Sequence, residues 1–356
     1  MAEIIIAPTV EKVDVKIPDK LIFGRTFTTH LFEMTYDEEL GGWQNPTIKK
    51  FSELSINPAA LVFHYGQSIF EGLKAYKQDD GRIALFRPEK NFERLNSSAK
   101  RMCIPEVDID FVLNALKELI SLDRDWIPTK PGHSLYIRPL VFAYDPFLGV
   151  RPGGKYKFFI MLSPVGPYYP EGFKPVPILA SDKYVRAVRG GVGDCKTAGN
   201  YAASLLAQAE AKKEGFTQVL YLDALERKYL EEVGTMNIFV HFEDEVATPG
   251  LGGTILPGIT RMSVLEILKD WGYNVNERNI SIDEVIESHK NGKLKELFGT
   301  GTAAVISSVG RLKYKDFEAV FNNGEVGELG QKLYKELTDL HYGRKEDLRG
   351  WLTYID

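Results

Sequence analysis

Residues 189–201, Arg-Gly-Gly-Val-Gly-Asp-Cys-Lys-Thr-Ala-Gly-Asn-Tyr, place a single lysine, Lys196, among four glycines. Glycines allow backbone conformations that other residues avoid, and they let a bulky ligand come close to the chain. A lysine amine becomes a nucleophile towards carbonyl groups when it is partly desolvated or lies near other cations. Because most lysines in glycine-rich loops are simply solvated, the surrounding sequence decides whether Lys196 is reactive.

A second motif, Leu-Pro-Gly-Ile-Thr at 256–260, leads into a segment with a helical apolar stripe. Proteins bind phosphate groups with backbone N–H groups at a helix start, with hydroxyls and with a cation. Pro257 and Gly258 precede the expected helix and Thr260 supplies a hydroxyl, so the motif predicts a phosphate-binding turn. Taken alone, such residues more often form an ordinary helix-capping turn.

Eight short motifs follow one another along the chain. They are Phe-Gly-Arg-Thr-Phe at 23–27, Phe-Glu-Gly-Leu-Lys at 70–74, Phe-Arg-Pro at 86–88, Tyr-Ile-Arg-Pro at 136–139, Asp-Cys-Lys-Thr-Ala-Gly-Asn-Tyr at 194–201, Glu-Val-Gly-Thr-Met-Asn at 232–237, Leu-Pro-Gly-Ile-Thr-Arg at 256–261 and Phe-Gly-Thr-Gly-Thr-Ala at 298–303. In this order they resemble the branched-chain amino-acid aminotransferases, which are fold type IV enzymes of pyridoxal phosphate. One such motif is weak evidence, whereas eight in one order are specific.

The pattern of helices and strands predicts an α+β protein, because it lacks the regular strand-helix alternation of a doubly wound sheet. Proline and glycine are densest between 163 and 177, which indicates a linker. We therefore predict a small N-terminal domain at 1–165, a linker at 166–177 and a larger cofactor-binding domain at 178–356. The resemblance implies a barrel-like sheet in the larger domain.

The spacing of apolar residues predicts the individual elements. Strands are expected at 21–34, 83–87, 135–144, 156–165, 176–188 and 218–222. Helices are expected at 89–102, 108–122, 200–213, 259–271 and 328–342. In the helix at 200–213, Ala202, Leu205, Leu206 and Ala209 are expected on one face. In the helix at 108–122, a core-facing apolar stripe is formed by Val112, Ala115, Leu116, Leu119 and Ile120.

The resemblance assigns the cofactor contacts residue by residue. It implies that Lys196 holds pyridoxal 5′-phosphate as a Schiff base and that Glu232 holds the protonated ring nitrogen, which makes the ring an electron sink. It further implies that Tyr201 donates a hydrogen bond to the phenolic oxygen of the cofactor. The residues expected around the phosphate are Leu256, Ile259, Thr260, Thr302, Arg87 and Arg186.

The substrate contacts also follow from the resemblance. An apolar pocket is expected from Phe23, Tyr65, Phe70, Tyr136, Val150 and Tyr168, some of them contributed by a partner subunit. The α-carboxylate is expected at Thr235 and at the backbone around Thr302 and Ala303, supported by Tyr136 and Arg138. The planar fork of Arg138 also suits a direct carboxylate clamp, so its role stays open. Lys74, Tyr65 and Arg138 are candidates for the γ-carboxylate of glutamate.

The implied reaction is transamination between L-leucine, L-isoleucine or L-valine and 2-oxoglutarate, giving the branched-chain 2-oxo acid and L-glutamate. Two enzymes of similar fold, D-amino-acid aminotransferase and aminodeoxychorismate lyase, are alternatives. Both are typically shorter and lack the segment containing Phe-Gly-Arg-Thr-Phe. A nucleotide-binding protein is a weaker alternative, because neither G-x-x-x-x-G-K-[ST] nor a strand-linked G-x-G-x-x-G is present.

The composition of the chain argues against some classes of binding partner. The chain of 356 residues has a net charge of -5 with scattered basic residues, which argues against nucleic-acid or anionic-membrane surfaces. Its two cysteines, Cys103 and Cys195, form no disulfide framework or zinc motif, and no metal is expected. We predict a cytoplasmic enzyme of small molecules, and the resemblance implies a homodimer.

Overall fold

The computed structural model describes residues 3–7, 15–168 and 173–355. Two compact units emerge from it. The first contains the described residues up to Tyr168, the short segment Cys195–Ala198 and the residues from Asp339 onward. The second contains the described residues 173–194 and the stretch Gly199–Thr338. The predicted boundaries at 165 and 178 stay predictions, and part of the predicted linker, 169–172, lies outside the described residues.

The chain up to Tyr168 contains eight strands and three α-helices within the described ranges. The strands are β1 (Ile5–Ile6), β2 (His30–Asp37), β3 (Gly42–Lys50), β4 (Ser68–Phe70), β5 (Leu73–Lys77), β6 (Ile83–Phe86), β7 (Ser134–Ala143) and β8 (Lys155–Val165). The helices are α1 (Leu61–Tyr65), α2 (Pro88–Arg101) and α3 (Ile109–Leu122).

The later part of the chain adds ten strands and five α-helices among the residues described. The strands are β9 (Val176–Ala180), β10 (Gln218–Leu222), β11 (Leu230–Val233), β12 (Met236–Phe242), β13 (Val246–Thr248), β14 (Val275–Glu277), β15 (Leu294–Gly301), β16 (Val305–Tyr314), β17 (Phe317–Val320) and β18 (Leu352–Ile355). The helices are α4 (Ala198–Ala202), α5 (Leu205–Lys213), α6 (Ile259–Asp270), α7 (Ile282–Lys290) and α8 (Glu328–His341).

The first unit is built on one sheet with the strand order β1-β3-β2-β8-β7-β5-β6-β18, with β4 paired to β7. Helix α3 packs its predicted apolar stripe into the core of this unit, where Leu116, Leu119 and Ile120 are fully buried. Asp108 caps the helix by accepting a hydrogen bond from the backbone N–H of Phe111 at 3.0 Å, as is typical of an N-cap aspartate.

The second unit contains a closed barrel. Its six strands follow the order β11-β10-β9-β16-β15-β12, and an additional pairing of β11 with β12 closes the ring. Strand β13 pairs with β12 and β14 pairs with β13, so both lie outside the ring. Strand β17 pairs with the C-terminal part of β16. The α+β class and the barrel-like sheet are therefore confirmed.

Two predicted strands begin later or end earlier than the apolar pattern indicated. The strand expected at 21–34 begins only at His30, after a turn in which Gly24 has a φ of 71°. The strand expected at 176–188 ends at Ala180, because the hydroxyl of Ser181 accepts a hydrogen bond from the Tyr184 N–H at 2.8 Å and starts a turn.

The helix expected at 200–213 is divided into α4 and α5. The hydroxyl of Ser204 donates to the carbonyl of Tyr201 at 2.7 Å at the division, a local bond that competes with the helical backbone pattern. Leu205 and Leu206 are 65% and 58% exposed, so the apolar face expected for this helix is not packed into the core of the unit. None of the helices in the described part of the chain has the length and apolar composition needed to cross a bilayer.

Candidate active site

Lys196 is held by backbone and hydroxyl contacts within the first unit. Its N–H donates to the hydroxyl of Ser98 on α2 at 3.0 Å. Its carbonyl accepts a hydrogen bond from the N–H of Phe70 at 2.9 Å. The hydroxyl of the next residue, Thr197, donates to the Ser68 carbonyl at 2.7 Å. The main chain at Lys196 is thereby fixed against strand β4 and helix α2, which a solvated loop lysine does not require.

The side chain of Lys196 lies in an environment that favours its neutral amine. Its Nζ atom is 4.9 Å from the centre of the Phe70 ring. Burial lowers the pKa of Lys196 to about 8, and the positive charges of Arg94 and Arg138 act in the same direction, against the charge of Glu71. Since a neutral amine is the nucleophilic form of lysine, this is the reactive environment that the sequence only suggested.

A buried carboxylate, Glu71, lies beside Lys196 and was not singled out from the sequence. Its side chain is fully buried and accepts hydrogen bonds from Arg94 Nε at 2.7 Å and Asn91 Nδ2 at 2.8 Å. Burial alone would raise the pKa of Glu71, but Arg94, Lys196 and Asn91 lower it overall. Asn91 and Arg94 are three residues apart on α2 and so share a face. That spacing, together with the glutamate of the motif at 70–74, was the available signal.

Replacing Glu71 by glutamine is expected to lower the free energy of unfolding by about 3 kcal/mol, because removing one member of a buried ion pair leaves Arg94 charged and poorly compensated. Urea denaturation measures this loss. The control is Glu93→Gln on the same helix, since Glu93 is half-exposed and pairs with the half-exposed Lys90. Equal stabilities for the two variants would contradict the role assigned to Glu71.

Several of the predicted pocket residues come together in the first unit. The Phe23 ring lies 4.8 Å from that of Tyr136 and 6.4 Å from that of Tyr168 in edge-on contacts. Arg138 donates to the Tyr136 hydroxyl at 3.0 Å, and its guanidinium carbon is 4.6 Å from the centre of the Phe70 ring. These residues form an aromatic group with two cations, Arg138 and Lys196, near the ring of Phe70.

Two predicted pocket residues do not join this aromatic group. The hydroxyl of Tyr65 donates to the carbonyl of Leu148, and Val150, two residues further on, is 83% exposed. Tyr65 and the segment containing Val150 therefore lie together at the surface. Their predicted contact with substrate stays a prediction.

Arg87 and Arg94 have different surroundings. Arg87 precedes α2 in a left-handed conformation with a φ of 48°, and its guanidinium carbon lies 4.7 Å from the centre of the Trp351 ring. Arg94, about two turns further along α2, acts electrostatically on Lys196. Arg94 is therefore the cation of this helix that influences the reactive amine, and the phosphate contact expected of Arg87 stays a prediction.

Glu232 is the centre of a polar group in the second unit. Its carboxylate is buried and pairs with Arg186, with 2.5 Å between Glu232 Oε2 and Arg186 Nε. Its other oxygen accepts hydrogen bonds from the N–H of Leu256 at 2.8 Å and from Asn237 Nδ2 at 3.2 Å. A buried charge needs such compensation. The neighbouring acidic residue, Glu231, has no hydrogen bond or ion pair with these three residues among the described contacts, although the charge of Arg186 acts on it.

Arg186 has contacts that the sequence did not predict. Besides its ion pair with Glu232, its Nη1 atom donates to the carbonyls of Gly193 at 2.9 Å and Thr254 at 2.7 Å. Guanidinium groups have five N–H donors in a rigid fork, and these contacts direct the fork of Arg186 towards Glu232 and the two carbonyls. Arg186 thus supports Glu232, and the phosphate contact expected of it stays a prediction.

The predicted phosphate turn opens helix α6, with Gly258 as its N-cap. Within the described chain no side chain caps this helix, so the N–H groups of its first turn, including those of the buried Ile259 and Thr260, point towards any bound anion. Asn237 donates to the Leu256 carbonyl at 2.9 Å. A Cβ at Gly258 would collide with the Asn237 amide oxygen, so only glycine fits there.

The remaining predicted residues lie in turns and in α4. Thr235 is exposed in the turn between β11 and β12, after Gly234 with a φ of 60°. Thr302 and Ala303 are partly buried in the turn between β15 and β16. A Cβ placed on Gly301 would lie 3.9 Å from the Thr235 carbonyl oxygen, so the two turns are neighbours. Tyr201 is a partly buried residue of α4.

Comparisons with known proteins agree with this arrangement. The family model described as amino-transferase class IV matches residues 68–312. Branched-chain-amino-acid aminotransferase 2 of Bacillus subtilis strain 168 is 55% identical over 338 residues, which cover 95% of this chain and 93% of that protein. The probable branched-chain-amino-acid aminotransferase of Staphylococcus aureus strain N315 is 55% identical over 337 residues, 94% of each chain.

Solved structures show the same fold. The branched-chain amino acid aminotransferase of Escherichia coli is 26% identical with a TM-score of 0.77, covering 92% of this chain and 100% of that one. The T.th. branched-chain amino acid aminotransferase complexed with N-(5′-phosphopyridoxyl)-L-glutamate is 26% identical with a TM-score of 0.75, covering 93% and 100%. The chain belongs to the class IV aminotransferases and, within them, to the branched-chain-amino-acid aminotransferase family.

Proposed function

We propose that this chain transfers the amino group of L-leucine, L-isoleucine or L-valine to 2-oxoglutarate, giving the branched-chain 2-oxo acid and L-glutamate, with pyridoxal 5′-phosphate as cofactor. The observation that carries the proposal is the partly buried amine of Lys196, which lies 4.9 Å from the centre of the Phe70 ring on a main chain fixed by Ser98; this environment lowers its pKa to about 8. Relatives that are 55% identical over almost the whole chain are named branched-chain-amino-acid aminotransferases.

The residues present fit the cofactor. When bound, pyridoxal phosphate supplies a carbonyl carbon for amines and a ring that withdraws electrons from the substrate α-carbon. Lys196 would hold that carbon, and Glu232, which pairs with Arg186, would hold a proton on the ring nitrogen. Tyr201 would donate its hydroxyl to the phenolic oxygen.

The phosphate group would be bound by the start of helix α6. The N–H groups of Ile259 and Thr260 supply donors at the positive end of the helix dipole. Thr302 would add a hydroxyl and Arg87 a positive charge. A guanidinium group can lie with one face on an aromatic ring, as Arg87 does on Trp351, while the N–H groups at its edge donate to an anion.

Lys196 would have a second role with substrate bound. Its neutral Nζ would accept the α-proton of the amino acid and return a proton during the transfer, as a general base and acid. A pKa near 8 suits this exchange, because an amine of ordinary pKa would be almost entirely protonated at neutral pH.

The aromatic group of Phe23, Phe70 and Tyr136 suits an isopropyl or isobutyl side chain. Arg138, which donates to the Tyr136 hydroxyl, is the cation available for a carboxylate. It would orient the α-carboxylate through Tyr136 or bind the γ-carboxylate of glutamate directly. The α-carboxylate would also contact Thr235 and the backbone of Ala303.

We further propose that the enzyme is a cytoplasmic homodimer. Exposed Tyr65 and Val150 would then complete the pocket of a partner subunit. Among the described residues Cys103 and Cys195 form no disulfide, which agrees with a reducing compartment. Sedimentation equilibrium tests the dimer.

A substrate panel tests the reaction. Purified protein with pyridoxal phosphate is supplied with 2-oxoglutarate and L-leucine, D-alanine or aminodeoxychorismate, and the oxo acid or pyruvate formed is measured. We expect product from L-leucine alone among the three. Activity on D-alanine or on aminodeoxychorismate without activity on L-leucine would favour one of the two enzymes of similar fold.

The rate at which the cofactor-free protein takes up pyridoxal phosphate is expected to rise about tenfold per pH unit below pH 8 and to level off above it. Only the neutral amine attacks a carbonyl, and its share is roughly one in ten at pH 7 for a pKa of 8. Stopped-flow absorbance measures this rate. Glu71→Gln removes a charge that raises the pKa of Lys196, so the break should move to lower pH. A break near pH 10 in the unmodified protein would contradict the lowered pKa.

A further inference from the structure

A cavity of about 450 Å³ in the second unit plays no part in the reaction described above. Its buried lining includes Leu230, Glu231 and Ile255, and its exposed lining includes Val188 and Arg189. The volume is sufficient for a small metabolite. The walls are mostly apolar, and their charged side chains are one arginine, Arg189, and three acidic residues, Asp223, Glu226 and Glu231.

Glu231 contributes one of the negative charges. It is 5% exposed, and its Oε2 atom has no hydrogen-bond partner among the residues that the structure describes. Burial raises the pKa of Glu231, and the hydrogen bond of Thr254 and the charge of Arg186 act against that rise. An unpartnered carboxylate oxygen is costly to bury. A ligand that donates a hydrogen bond to Oε2 would remove this cost.

The positive charge comes from Arg189. Its side chain is exposed, and its Nη2 atom lies 3.9 Å from where a Cβ of Gly252, another lining residue, would be. Its charge also acts on Glu231, so both groups belong to one site. Guanidinium groups bind carboxylates through two parallel hydrogen bonds.

Another charged lining residue, Asp223, already accepts hydrogen bonds from the protein backbone. Its carboxylate accepts the backbone N–H groups of Leu225, Glu226, Lys228 and Tyr229 at 2.7–3.1 Å. The groups left for a ligand are therefore the buried oxygen of Glu231, the guanidinium of Arg189 and the apolar side chains of Val188 and Ile255.

We propose that this cavity binds a free α-amino acid with an aliphatic side chain, its ammonium group donating to Glu231 Oε2 and its carboxylate accepting from Arg189. The aliphatic side chain packs against Val188, Leu230 and Ile255. Because Glu231 and Glu232 are consecutive residues of β11, their side chains leave the strand on opposite faces. The site is thus separate from the carboxylate that serves the cofactor.

The test uses radiolabelled cycloleucine, whose α-carbon carries no proton and which is therefore not consumed by transamination. The holoenzyme is first reduced with sodium borohydride, which fixes the cofactor on Lys196 and prevents the amino acid from bonding there. Equilibrium dialysis then counts the molecules bound per chain. We expect one.

Substitutions of lining residues test whether cycloleucine binds in the cavity. Glu231→Gln, nearly isosteric, and Arg189→Gln are each expected to weaken binding at least about tenfold, because each removes a charged hydrogen-bond partner. The control is Glu226→Gln, because Glu226 is an exposed carboxylate that also lines the cavity. This variant should bind cycloleucine as tightly as the unmodified protein. If Glu231→Gln fails to fold, the exposed Arg189→Gln decides.

Three outcomes would overturn the proposal. The first is no binding of cycloleucine to the reduced enzyme. The second is equal affinity in the unmodified protein and in Arg189→Gln. The third is that cyclopentylamine, which lacks the carboxylate, competes as tightly as cycloleucine, since the cavity would then recognise only an amine.

Discussion

Replacement of Lys196 by alanine is expected to lower kcat for L-leucine by at least about a thousandfold, the range found when a positioned proton-transfer group is removed. The loss combines the nucleophile and the base, because the same Nζ atom serves both. Glutamate formation from 2-oxoglutarate measures it. Added methylamine should restore part of the activity, because a small amine can take over the proton transfer.

The stability of this variant separates chemistry from folding. The contacts that fix the chain at Lys196 are those of its N–H and carbonyl groups, and alanine keeps both. The pKa of Lys196 is lowered from 10.5 to about 8 in the folded protein, so protonation of Lys196 destabilises the fold as the pH falls from about 10.5, and this penalty is complete below about pH 8. Alanine removes that penalty, and the unfolding free energy should not fall at pH 7. The control is Lys90→Ala, because Lys90 is half-exposed on α2. Full activity in Lys196→Ala would refute the mechanism.

The elements that could be predicted from the sequence are those with local signals. Helix α3 has a five-residue apolar stripe that is buried as the apolar spacing predicted, and Asp108 caps its start. Gly258 leads into α6 as its N-cap for the same reason, since glycine and proline restrict the backbone over one or two residues. The helix expected at 200–213 failed because a serine hydroxyl bond interrupts it, which apolar spacing does not report.

The partners of the cations could not be assigned from the sequence, because they are remote in the chain. Arg94 pairs with Glu71, 23 residues earlier. Arg186 pairs with Glu232 through contacts formed only when β11 lies beside the turn containing Leu256. A sequence motif can indicate that an arginine lies near a site. The direction in which its guanidinium group points depends on which buried carboxylate is closest in the folded chain. That is why Arg87 and Arg186 were both expected at the phosphate and Arg94 was not singled out.

Replacement of Glu232 by glutamine is expected to lower kcat by about a hundredfold or more, the usual loss when one preorganised electrostatic group is removed, since a neutral amide does not keep a proton on the ring nitrogen. It should also lower the unfolding free energy by about 3 kcal/mol, because Arg186 would remain buried without its counter-charge. The double variant Glu232→Gln with Arg186→Met removes that uncompensated charge. We therefore expect it to recover stability in urea denaturation but not activity, whereas recovery of both would show that Glu232 acts only through folding.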